Sequence, residues 1–105
     1  MSVDAKSGLA DRVIAILQAH EAELRRAGIC HISLFGSVAR GEDDEQSDVD
    51  LVTELDPEAR IGLFALGGLE RRLEELVGRK VDLLPEPVEK QRLKANIERD
   101  RVRAF

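Results

Sequence analysis

The amino-acid sequence predicts an α/β fold, a small β-sheet with helices packed against it, as one domain over residues 1–105. Three observations predict it. Apolar residues recur at helical spacing in long segments, short β-branched apolar runs stand between those segments, and Gly, Pro or Asp-Pro marks most of the joins. With 43% hydrophobic and 35% charged residues, the composition is that of a chain that folds.

The elements follow in order. In "SGLADRVIAILQAHEAELRRAG" the residues Leu9, Val13, Ile16, Leu17 and Leu24 make one helical stripe, with Ser7 as N-cap and Gly28 as the stop. "ICHISLF" (29–35) and "VDLVTEL" (49–55) read as strands. Asp56-Pro57 supplies an N-cap and a first-turn proline for a helix running to Gly78, with Leu66, Leu69, Leu73, Leu76 and Val77 inward and Gly67-Gly68 as a place for a kink or a close neighbour. "KVDLLP" (80–85) is a third strand, and a charged helix from about Glu89 to Arg103 closes the chain. No internal repeat or low-complexity linker interrupts this order.

Several function classes can be set aside. The formal net charge is -5, so no global basic field draws in nucleic acid, which argues against a long polynucleotide substrate but leaves room for a small nucleotide held by a metal. Cys30 is the only cysteine, so no intrachain disulfide forms and a reducing cytoplasm is the expected location. The opening "MSVDAKSGLADR" has no apolar h-region, and no apolar run is long enough to span a membrane.

The stretch "LFGSVARGEDDEQSDVDLV" (34–52) carries the chemistry. Asp48 and Asp50 open an apolar strand, where an unpartnered carboxylate is costly, so something must share the position with them. Two residues apart on a strand, they face one side at a separation of ~6.6 Å, from which flexible carboxylates can converge on one metal ion or hold two. Hard oxygen ligands suit Mg²⁺ or Mn²⁺. Gly36 lets a ligand approach the backbone, and "GSVARG" reads as one helical turn whose amides face the strand end. Ser37 adds a hydroxyl donor and Arg40 a cation able to reach a phosphate. Asp82 interrupts the third strand as Asp48 and Asp50 do the second; if the two strands are neighbours, it completes a triad and can help activate an acceptor hydroxyl.

Gly36-Ser37, ten residues, then Asp48-Val49-Asp50 is similar to the G-S-x10-D-x-D signature of the polymerase-β-like nucleotidyltransferases. "LFGSVARGE", "SDVDLV" and "GRKVDLL" resemble the minimal nucleotidyltransferase (MNT) branch of that superfamily. The resemblance runs from the first helix to the third strand. It implies a mixed sheet flanked by helices. It also implies triphosphate binding by Gly36 and Ser37, metal binding by Asp48 and Asp50 with two Mg²⁺ ions, and Asp82 as the third carboxylate. Minimal members are often antitoxins paired with a HEPN-domain ribonuclease toxin, some of which they silence by moving AMP from ATP to a toxin tyrosine. The chain has no tyrosine of its own, so a tyrosyl acceptor would lie on another protein.

Taken singly, these features have ordinary readings. Gly36-Ser37 is a common strand-to-helix turn, Arg40 a surface ion pair, Asp82 an exposed edge position, and Glu42 to Glu45 a solvated loop that lacks the glycine and bidentate Glu of a calcium loop. His20, His31 and Cys30 read as structural. The conjunction of Gly-Ser, the aspartate pair and the later aspartate favours an enzyme, Mg²⁺-dependent AMP transfer from ATP to a hydroxyl of a partner toxin. The alternative is an antitoxin that neutralises its toxin by binding alone. Transfer to a small molecule such as an aminoglycoside fits less well, since such enzymes usually carry an extra helical domain. The closing segment "EKQRLKANIERDRVRAF" concentrates positive charge; it is read as a helix packing Leu93 and Ile97 on the sheet, with Phe105 and the basic face as a possible dock for the partner.

Overall fold

The computed structural model describes residues 4–105, with side chains from residue 8 onwards. The elements are α1 (Asp4–Ala19), α2 (Glu21–Arg26), β1 (Ile29–Phe35), α3 (Gly36–Arg40), β2 (Val49–Leu55), a 3₁₀ turn (Pro57–Ala59), α4 (Leu63–Val77), β3 (Val81–Pro85), α5 (Gln91–Asp100) and β4 (Val102–Arg103). The four strands form one mixed sheet in the order β3-β2-β1-β4. β1 runs antiparallel to β2 and β4, while β2 and β3 are parallel, with α4 as the crossover that a parallel pair needs. This is the α/β class, with the mixed sheet that the resemblance implies.

Alternation along the strands assigns the two faces. Ile32 and Leu34 of β1, Val49 and Leu51 of β2, and Val81 and Leu83 of β3 point to the main core, where they meet Leu9, Val13, Leu17, Leu24, Leu69 and Leu73 from α1, α2 and α4. The opposite face carries a smaller cluster in which Ile97 of α5 seals Phe35 and Val52, with Leu84, Val88 and Leu93 around it. Asp50 and Asp82 share the parity of Val52 and Leu84, so they belong to this second face, one step nearer the strand starts than the ground α5 covers. The free edge of β3 is closed by α4: the Val81 amide donates to Glu74 (3.0 Å) and the Leu83 amide to Glu70 (3.0 Å). Carboxylates one turn apart thus satisfy the donors that an open edge strand would offer to another chain.

All three expected strands form. The helices differ at four places. The first stripe is two helices, broken at His20; Leu17 and Leu24 are both fully buried on either side of the break, and their seven-residue spacing is also that of one continuous stripe, so the pattern is blind to it. The backbone is also non-helical at Gly8 (φ 52°), and the expected cap Ser7 lies outside the residues whose side chains are described. Asp56 does act as a cap, accepting from the Glu58 amide (2.9 Å), but of the short 3₁₀ turn only. Arg60 then adopts a left-handed conformation (φ 54°) that ends the turn, and α4 starts afresh at Leu63. α4 passes through Gly67 and Gly68 unbroken, and a Cβ at either would meet nothing nearer than 3.8 Å, so neither the kink nor the close neighbour exists.

The fourth difference is the C-terminus. α5 ends at Asp100 and not at Arg103, and the next residues become β4, pairing Leu34 with Val102 and Ser33 with Arg103. Ala104 donates to the Ile32 carbonyl (2.9 Å), and Ile32 donates to the Phe105 carbonyl (3.1 Å). Phe105 packs on the main core beneath the Arg25 guanidinium, 4.9 Å from its ring centre, so it anchors the chain's own end and is not held out as a dock. The basic side chains nearby are engaged as well: Arg101 with Glu86 (2.7 Å), Arg99 with Asp100 (3.0 Å) and Arg103 with His31 (2.7 Å).

Candidate functional site

The parallel register places Asp50 of β2 opposite Asp82 of β3. On the other side of β2, Asp50 faces Phe35, the last residue of β1, and the chain turns there into α3 through Gly36. Gly36 has φ 79°, and a Cβ built on it would run into Asp50 Oδ2. Glycine is therefore required twice, for its left-handed backbone and because the carboxylate occupies the place of its side chain. α3 has no side-chain cap at Phe35, which leaves its first amides without a side-chain acceptor, and Ser37, half-buried, sits in that first turn.

Asp48 lies one residue before β2, on the last position of the connecting loop, with its side chain exposed. Asp82 is exposed too, whereas Asp50 is half-buried. The pKa of Asp50 is raised, first by burial, then by the negative charge of Asp82 and after it Asp48, with Arg40 opposing. Asp50 thus feels the charge of both other carboxylates. As the side chains lie, no group of three or more His, Cys, Asp or Glu among the described residues is drawn together closely enough to hold a metal ion. The chemistry of the donor set still suits one: Asp50 and Asp82 are register partners on adjacent strands, Asp48 precedes Asp50 by two residues, two of the three hard oxygen ligands are exposed, and the repulsion felt at Asp50 is what a divalent cation would relieve.

Arg40 is placed differently from the expectation of a free phosphate ligand. Its guanidinium bonds Glu42 (2.9 Å) and Asp100 (2.6 Å), so α3 is tied to the end of α5. The Asp100 side chain is 4% exposed, and Arg99 and Arg40 hold its carboxyl below the usual carboxylate range. Arg40 still bears on the site through its charge, since it pulls against the rise at Asp50. The acidic loop from Glu42 to Glu45 holds itself: Asp44 Oδ1 accepts from the Gln46 amide (2.9 Å) and from the Ser47 hydroxyl (3.1 Å).

Asp100 and Arg79 are the residues that sequence patterns do not single out. Arg79 donates to the carbonyls of Asp44 (2.9 Å) and Ser47 (3.0 Å), and partners that are backbone atoms leave no trace in the sequence. A groove of about 490 Å³ between Pro87, Val88 and Ile97 lies past Glu54 at the far end of β2 and contains none of the candidate residues.

The model of the family described as "Nucleotidyltransferase domain" matches residues 17–104. The chain belongs to that family. The protein adenylyltransferase MntA of Thermococcus cleftensis is 43% identical over 75 residues, covering 70% of this chain and 74% of that one. A solved structure described as a minimal nucleotidyltransferase superposes with a TM-score of 0.69 at 31% identity, over 97% of this chain and 98% of its own. A complex of tri-AMPylated Shewanella oneidensis HEPN toxin with MNT antitoxin matches with a TM-score of 0.62 at 17% identity, over 88% of this chain and 71% of that one, which is a likeness of fold. The resemblance carried by Gly36-Ser37 and Asp48-Val49-Asp50 is borne out, and the chain is a nucleotidyltransferase with the minimal, polymerase-β-like fold. No helix among the described residues is long and apolar enough to cross a membrane.

Proposed function

We propose that this nucleotidyltransferase is a protein adenylyltransferase that moves AMP from ATP to a hydroxyl of a partner protein. The partner is a HEPN-domain toxin, the acceptor a tyrosine, and the outcome neutralisation of the toxin in the cytoplasm. The observation that carries the reading is the Asp50–Asp82 register, with Asp48 alongside and Gly36 emptied of a side chain beneath it. The name of the Thermococcus cleftensis relative and the AMPylated toxin held by the Shewanella MNT antitoxin supply the acceptor class and the partner.

In this reading Asp48, Asp50 and Asp82 would hold Mg²⁺, as two ions. Bound there, Mg²⁺ would neutralise triphosphate charge and lower the pKa of the attacking hydroxyl. The chain's own groups do the rest. The α3 amides and the Ser37 hydroxyl donate to phosphate oxygens, which the missing Cβ at Gly36 lets come close. Asp82, exposed beside Asp50, takes the proton of the acceptor hydroxyl. The acceptor oxygen forms its bond to the α-phosphorus as the bond to the β-phosphate oxygen breaks, and pyrophosphate leaves. Because the sequence contains no tyrosine, a tyrosyl acceptor cannot come from this chain.

The test is transfer of label from α-labelled ATP with Mg²⁺, using the purified chain and its HEPN-domain partner. Label should appear on the partner and vanish with Asp48→Asn, whose fold is retained because the change removes charge repulsion and opens no cavity. Toxin neutralisation that survives unchanged in Asp48→Asn and Asp50→Asn, with no label moved, would replace this reading with neutralisation by binding alone.

A further inference from the structure

Asp48 is the least anchored of the three carboxylates. Asp50 and Asp82 sit inside strands whose ladder fixes them, but Asp48 ends the exposed loop that begins at Gly41. That loop carries Glu42, Asp43, Asp44 and Glu45, whose like charges push it open. Something must hold its end in place. The Arg79–Lys80 dipeptide does so from both sides of Asp48: Arg79 Nη1 binds the carbonyls of Asp44 (2.9 Å) and Ser47 (3.0 Å), and the Lys80 carbonyl accepts from the Val49 amide (2.9 Å). One Nη1 nitrogen, which carries two protons, bonds both carbonyls, so a single side chain closes the 44–47 turn and fixes the peptide that leads into Asp48. Gly78, in the left-handed region (φ 79°), turns the chain out of α4 so that Arg79 reaches the loop at once.

We infer that Arg79 is a positioning residue for the cation site, acting through the backbone on either side of Asp48; the inference rests on the cation-binding role proposed above for that residue. Two physical effects of Arg79 have opposite signs. Its charge repels a cation, so removing charge alone would tighten cation binding, whereas removing the staple frees Asp48 and weakens it. Outer-shell contacts to the ligands themselves are worth ~10–100-fold in metal affinity; because Arg79 acts through the backbone and Asp48 is exposed, the lower end, about tenfold, is expected here.

The test uses the full chain and Mn²⁺ alone, followed by the EPR signal of free Mn²⁺, together with hydrogen exchange. Arg79→Met keeps the apolar stem and loses both donors; Arg79→Lys keeps a cationic donor on a shorter reach. Arg79→Met should bind Mn²⁺ about tenfold more weakly and exchange the Ser47 and Val49 amides faster, with β1 exchange unchanged, and Arg79→Lys should recover part of both. Mn²⁺ binding by Arg79→Met as tight as in the unaltered chain, or tighter, overturns the inference while leaving the cation site standing. No Mn²⁺ binding by the unaltered chain overturns the cation site itself, and the inference with it.

Discussion

The two sides of the carboxylate cluster are built by different physics. On the β1 side, Asp50 is fixed by shape: it stands in a ladder, half-buried, with Oδ2 against the space that a side chain at residue 36 would fill. On the β3 side, Asp48 and Asp82 are exposed, and hydrogen bonds hold the backbone around them: Arg79 and Lys80 bond the segment of Asp48, while the ladder holds Asp82 and Glu70 and Glu74 accept from the amides on either side of it. A side chain added at residue 36 must both strain the backbone and push the Asp50 carboxylate from its place. A hydrogen-bonded anchor is graded, since each bond is worth only ~0.5–1.5 kcal/mol net. The difference orders the mutational effects.

The largest effect is expected at Gly36. Gly36→Ala must adopt a positive φ at a cost of ~1–2 kcal/mol and also displace the Asp50 carboxylate. Transfer activity should fall below detection and the melting temperature should drop. A Gly36→Ala chain with normal activity would break the steric half of the comparison. Asp50→Asn comes next. It should abolish transfer, yet in chelator at pH 7 it should melt no lower than the unaltered chain. The sign follows from the raised pKa: the folded state disfavours the charged form, so stability present at low pH is lost as pH rises through the folded pKa, and the neutral amide escapes that loss. A clear destabilisation by Asp50→Asn would mean that its carboxylate is already satisfied by the protein.

A smaller effect, on stability and not on chemistry, belongs to the C-terminus. Removing residues 102–105 deletes β4 and the Phe105 anchor, and Phe105→Ala alone should cost ~1–2 kcal/mol for a half-buried ring. Thermal melts would show it. Weaker partner binding with an unchanged melting temperature would return the C-terminus to a docking role. The smallest effect lies far from the site. Arg72 holds Glu23 down to about 2, so its contribution to stability is present above the ordinary carboxylate range and lost as pH falls towards 2. Glu23→Gln should therefore flatten the acid side of a stability–pH profile and leave transfer unchanged.

Much of this was legible in the sequence where the local code and the tertiary role coincide. "ICHISLF" and "VDLVTEL" are strands in pattern and in fact because apolar β-branched residues both prefer the conformation and face the core. Asp50 and Asp82 were findable because each interrupts such a run. β4 was not, since two exposed residues carry no pattern and owe their conformation to pairing with β1. Asp56-Pro57 signalled a helix start correctly in kind but not in length, because Arg60 halts the turn through a backbone conformation that no arginine advertises. The position of Arg40 after Gly-Ser suggests a phosphate ligand, with a surface ion pair as its ordinary reading, and names no partner. Its partner Asp100 lies 60 residues away, a distance over which no spacing rule operates.

The most direct measurement is a crystal structure with a non-hydrolysable ATP analogue and Mn²⁺, read by anomalous scattering. The account predicts manganese bound by Asp48 and Asp50, with Asp82 beside them and the triphosphate against the backbone of Gly36 and Ser37. Manganese bound elsewhere, or a nucleotide seated away from Gly36 with the three aspartates free, would contradict it.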